Sequence, residues 1–77
     1  KKSISQKIII IFDIPEKERF KRELLRWELG ALGFKPVQKS VWLGSIKVTK
    51  TFLAYLRDLK ILPYVKIFGV TELGTLI

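Results

Sequence analysis

Lys7-Ile8-Ile9-Ile10-Ile11-Phe12-Asp13-Ile14-Pro15 is the stretch whose reading decides the fold. From Ile8 to Phe12 it is an unbroken run of β-branched and aromatic side chains, too short for a helix and made of strand formers. A run without polar alternation belongs to a strand covered on both faces. Asp13 stands at the carboxyl end of that strand, where Pro15 turns the backbone towards a helix. A single acid at the exit of the most hydrophobic strand asks for a chemical explanation.

Downstream of Pro15, residues 16–32 read as the helix. Phe20, Leu24, Trp27 and Ala31 recur at helical spacing, and Leu25, Leu29 and Leu32 widen the apolar face, so both stripes are expected in the core. Glu16 and Glu18 lie in its first turn, where carboxylates suit the helix dipole, and Gly33 ends it as a left-handed cap. Residues 34–38 and 40–43 read as two short strands or one bent strand, and Pro36 places the first piece at an edge. Residues 51–62 read as a second helix, capped by Thr49, striped by Phe52, Leu56 and Leu59, and stopped by Pro63. Residues 64–70 read as a strand with Val65 and Ile67 on one face and Tyr64, Phe68 and Val70 on the other. Residues 71–77 offer a last edge strand, and residues 1–6 a frayed start or the stub of a longer polypeptide.

The order is β-α-β-β-α-β plus a tail, the α+β split-βαβ or ferredoxin-like pattern, with two helices on one face of an antiparallel sheet. The other face is left open, yet the first strand is apolar on both parities. Nothing else in 77 residues covers that face, so a homodimer is expected. The length allows one small domain over residues 1–77.

Composition narrows the chemistry. The chain has no cysteine and no histidine, so there is no thiolate site, no disulfide and no histidine base. The apolar run is too short to span a bilayer, and the expectation is a soluble cytoplasmic protein. Fifteen Lys and Arg against seven Asp and Glu give a net charge of +8, which points to a polyanion, most simply DNA and alternatively RNA. Solubility alone is the plain alternative. Arg19, Arg22 and Arg26 fall on one side of the first helix. They read either as a phosphate rail or as a solvated face with Glu18–Arg22 and Arg19–Glu23 pairs, each stabilising the helix by ~0.2–0.5 kcal/mol. Lys35, Lys39 and Lys47 flank the middle strands and extend the basic surface.

Ile11-Phe12-Asp13-Ile14 ahead of a basic helix, followed by Val37-Gln38-Lys39-Ser40-Val41-Trp42, resembles the CRISPR-associated endonuclease Cas-two family. The same segments resemble the Cas-two-like middle domain of PaaX-type transcriptional repressors, and residues 12–19 with Leu32-Gly33-Phe34 look closer to that branch. The likeness covers nearly the whole chain. It implies a ferredoxin-like homodimer with sheets face to face. In the endonuclease branch it implies a divalent metal, Mg2+ or Mn2+, near two copies of Asp13, and a CRISPR integrase subunit as partner to a dimer that spans captured DNA. Tails after the last strand in this family pair with the partner subunit. Pro15 directly after Asp13-Ile14 departs from the endonuclease pattern. Repressors of the PaaX type carry a winged-helix segment ahead of this domain, which these residues do not include, so a stand-alone protein or a fragment is expected.

Hydrolysis of a phosphodiester without histidine needs a metal to lower the pKa of water, and magnesium is content with one or two carboxylates and its waters. Asp13 is the catalytic and metal-ligating candidate, and a symmetric dimer doubles it. Its other reading is a helix cap in an Asp13…Glu16 box, a role worth ~1 kcal/mol. Ser40 has no base arranged to make it a nucleophile; Gln38 and Ser40 read as supports of the bend or contacts to phosphate, and Trp42 as core, dimer packing or a base-stacking platform. The leading expectation is a DNA-binding adaptation scaffold of Cas-two type with metal-nuclease ancestry. The alternative is a dimerisation domain of a PaaX-type repressor without catalysis, and a toxin-like ribonuclease is the third class.

Overall fold

An all-apolar strand belongs in the middle of a sheet, and β1 (Gln6–Phe12) sits there. The computed structural model describes residues 6–71. After β1 come a 3-10 turn (Glu16–Glu18), α1 (Arg19–Leu32), β2 (Lys35–Gln38), β3 (Val41–Gly44), α2 (Lys50–Asp58), a second 3-10 turn (Leu62–Tyr64) and β4 (Val65–Thr71). The sheet order is β2-β3-β1-β4 and every pairing is antiparallel. This is the α+β ferredoxin-like arrangement expected from the element order. Pro36 lies on the edge strand β2, where a missing N–H costs no ladder bond on the solvent side.

The register sorts the side chains by face. Ile10 pairs with Trp42 on one side and Ile67 on the other, while Ile9 pairs with Leu43 and Phe68. The Ile10 parity is the core side: Ile10, Phe12 and Trp42 are buried against Leu25 and Leu29 of α1 and Phe52 and Leu56 of α2, with Ile14, Phe34 and Ile61 closing the ends. The Ile9 parity is the open side. It carries Ile9, Ile11, Val41, Leu43, Phe68 and Val70, all half-buried or exposed.

Both helices end by the same device. Gly33 takes a φ of 103°, its N–H donates to Gly30 O at 3.1 Å, and the Phe34 N–H donates to Leu29 O at 2.9 Å. Lys60 takes a φ of 62°, its N–H donates to Arg57 O at 2.9 Å, and the Ile61 N–H donates to Leu56 O at 3.0 Å. These are Schellman closures, each locked by a buried apolar pair, Phe34 with Leu29 and Ile61 with Leu56. The second helix therefore stops at Asp58, short of the expected Leu62, because the chain reverses at Lys60 before Pro63 is reached. Thr49 caps its start as expected, its Oγ1 accepting the Phe52 N–H at 3.1 Å.

The first helix departs from the reading in two ways. Residues 16–18 form a 3-10 turn before α1 proper. The stripe Phe20–Trp27–Ala31 is not core: Phe20 is 72% exposed and Trp27 80% exposed. Only the Leu25–Leu29–Leu32 stripe packs inwards. Residues 72–77, expected to complete an edge strand, lie outside the described residues. Among the described residues no helix is long and apolar enough to cross a membrane.

Candidate nucleic-acid interface

Asp13 extends the β1–β4 ladder by one residue, its N–H donating to Tyr64 O at 2.9 Å. The neighbouring Phe12 N–H donates to Ser40 O at 3.1 Å, so the β2–β3 turn is tied to the same strand exit. Strand alternation sets Asp13 on the side of Ile9 and Ile11, and it is exposed. The capping expectation does not hold. The 3-10 turn starts at Pro15 with no side-chain cap, its first bond running from the Glu18 N–H to Pro15 O at 2.8 Å. Ile14 and Pro15 stand between Asp13 and the turn, and its carboxylate accepts no hydrogen bond among the described residues.

A free, exposed carboxylate is the donor type magnesium or manganese takes. Among the described residues no three acids cluster. Asp13 thus has no cluster of acids around it among the described residues, and a second copy bringing its own Asp13 alongside would supply the further carboxylate a metal takes.

The arginines are committed elsewhere. Glu16 accepts from Arg19 at 3.2 Å and from Arg22 at 3.0 Å. These bonds, Arg22 first and Arg19 second, hold the Glu16 carboxyl below its ordinary range. Lys21 pairs with Glu18 at 3.2 Å, and Arg26 with Glu23. The expected Glu18–Arg22 and Arg19–Glu23 pairs are replaced by these, because the 3-10 turn swings Glu16 under the arginines. Two arginines also clamp main chain: Arg22 donates to Ile14 O at 3.3 Å and Arg26 to Lys39 O at 3.2 Å. The ridge braces α1 against the strand exits, its three arginines sharing the Glu16 and Glu23 carboxylates.

Lys35, Lys39 and Lys47 are exposed and hold no carboxylate among the described residues. They divide between the ends of the sheet. Lys39 lies in the β2–β3 turn at the Asp13 end; Lys35 and Lys47 lie at the opposite end. Gln38 is exposed opposite Val41 and Ser40 is half-buried. Trp42 is 8% exposed on the core side, its indole N–H donating to Lys39 O at 3.1 Å, a position closed to base stacking within one chain. Sequence reading passed over Lys7, which shares a hollow with Lys35. Its signal was parity: Lys7 precedes Ile9 and Ile11 on the open face.

A four-stranded ferredoxin-like sheet, an open apolar face and a lone strand-end aspartate define a Cas-two-like domain. Residues 7–76 match the family described as the PaaX protein central Cas2-like domain, and the chain belongs to that family. No curated protein matches it.

Proposed function

We propose that this chain is a non-catalytic, two-fold self-associating scaffold of a PaaX-type transcriptional regulator that lies against nucleic acid. The observation that carries it is the open face of the sheet, where Ile9, Ile11, Val41, Leu43, Phe68 and Val70 line up with nothing packed over them among the described residues. A contiguous apolar face of this kind marks an interface, and a two-fold axis lets one face cover its own copy. The family membership supports the regulator setting. The net charge of +8 supports a polyanion as the further partner. Sedimentation at micromolar concentration tests it: the wild type runs at twice 9.0 kDa, and Ile11→Lys runs as a monomer. A monomeric wild type sinks the proposal.

One observation favours the metal-nuclease setting, in which the dimer serves CRISPR adaptation beside an integrase: the exposed Asp13 carboxylate holds no hydrogen bond or ion pair among the described residues. When bound, a metal would supply an activated water, and Asp13 from each copy would hold it. Adding Mg2+ or Mn2+ then raises the melting temperature of the wild type and leaves Asp13→Asn unmoved. Equal melting with and without metal in both proteins removes this second setting.

A further inference from the structure

We infer that the hollow at the sheet end remote from Asp13 is a phosphate-binding groove, gripping the sugar-phosphate backbone of a nucleic acid through Lys7, Lys35 and Lys47 around Ser45. The inference rests on the nucleic-acid reading above and locates its contact surface. Two hollows meet there. One, of about 360 Å³, runs between Lys7 of β1, Lys35 of β2 and Ser45 after β3. The other, of about 180 Å³, carries Lys47. Ser45 and Ile46 line both, so the hollows form one continuous track.

Charge gathers along this track. Among the described residues no Asp or Glu lines either hollow. The cations of α1 face carboxylates at 3.2 Å or less, whereas Lys7, Lys35 and Lys47 form no ion pair among the described residues. Three cations without a carboxylate partner among the described residues therefore converge on the groove. Lysine meets phosphate as a point charge, and a serine hydroxyl donates to phosphate oxygen. The walls also favour backbone over base. Gly33 and Gly44 bring bare backbone to one wall because packing behind it leaves no room for a side chain: a Cβ on Gly44 would lie 2.6 Å from the buried Phe34 ring at Cδ2 and one on Gly33 2.9 Å from Ile46 Cδ1. Among the described residues no aromatic ring lines the track for a base to stack on, and no carboxylate stands ready for a ribose. The features fit a run of phosphates and not a single nucleotide.

The test compares the wild type with Lys7→Gln/Lys35→Gln/Lys47→Gln and with Arg19→Gln, after melting curves confirm that all three fold. The first readout is duplex DNA binding between 50 and 200 mM salt. Each lost phosphate contact lowers the slope of log affinity against log salt by about 0.9, so the triple variant loses about 2.7 and Arg19→Gln stays near the wild type. The second readout is amide shifts on adding inorganic pyrophosphate, expected at Lys7, Gly44, Ser45 and Ile46 and absent from the triple variant. A triple variant that binds duplex with wild-type slope overturns the groove while leaving nucleic-acid binding intact. A wild type that ignores duplex but shifts those amides overturns the nucleic-acid reading and leaves a small-anion site. Scattered or absent shifts with no duplex binding overturn both.

Discussion

The two tryptophans put the residue scale in relief. Trp42 is 8% exposed, packed among Ile10, Leu25 and Leu29 with its N–H bonded; Trp27 is 80% exposed on α1. Both sit in apolar patterns, and the pattern alone does not separate them. Geometry does: at ~100° per residue Trp27 lies about 200° round the helix from Leu25, so one stripe excludes the other from the core. The side that turns inwards is that of Leu25 and Leu29, and the bond from Arg22 to Ile14 O that accompanies this orientation leaves no trace in apolar spacing. Trp42→Ala is expected to cost ~3–5 kcal/mol, the loss from deleting a buried aromatic. Trp27→Ala is expected to stay within ~0.5 kcal/mol. Urea unfolding of the two variants reads both values, and a large loss at Trp27 contradicts its exposure. Asp13 was legible as a singular acid but not as a free one. The cap pattern Asp13…Glu16 ignores that the first turn is a 3-10 turn entered at Pro15, which leaves Asp13 two residues ahead of that entry.

At the scale of elements, most of the architecture was legible and the helix ends were legible only where glycine marks them. Gly33 announces the end of α1; Lys60 performs the same left-handed turn on α2 without announcing it. What holds Lys60 there is tertiary, the buried contact of Ile61 with Leu56. The entry of α1 has its own signature in acid. Hydrogen bonds from Arg22 and then Arg19 hold the Glu16 carboxyl below its ordinary value of 4.5. A depressed folded value means that the stabilisation is present above the unfolded value and drains away as pH falls through the folded one. Wild-type stability is therefore expected to decline more steeply below about pH 4.5 than that of Glu16→Gln, the two curves converging in strong acid. Chemical unfolding across that range measures the gap; parallel curves would mean that the arginine bridge contributes nothing. Salt narrows the gap too, because Glu16 is exposed.

At the scale of the whole molecule, the sheet has one finished face and one unfinished face, and this was foreseeable from β1. Isoleucine on both parities of one strand requires cover on both sides, and two helices supply only one. The charge map was less legible, because fifteen cations in a sequence do not say which are already answered by acids. A covered open face links self-association to folding, so the melting temperature of the wild type is expected to rise with protein concentration. Phe68, 47% exposed on that face on the edge strand β4 opposite Ile9, separates this linkage from core packing. If the face is an interface, Phe68→Lys abolishes the concentration dependence yet melts, at the lowest concentration, near the wild type. The reason is that a residue already half in water in the single chain gives up little when it becomes polar. If the face were instead completed by this chain's own residues, Phe68→Lys would behave as a core lesion, lowering the melting temperature equally at every concentration. Scanning calorimetry over a hundredfold range of protein concentration distinguishes the two outcomes, and a wild type whose melting ignores concentration removes the self-covering face.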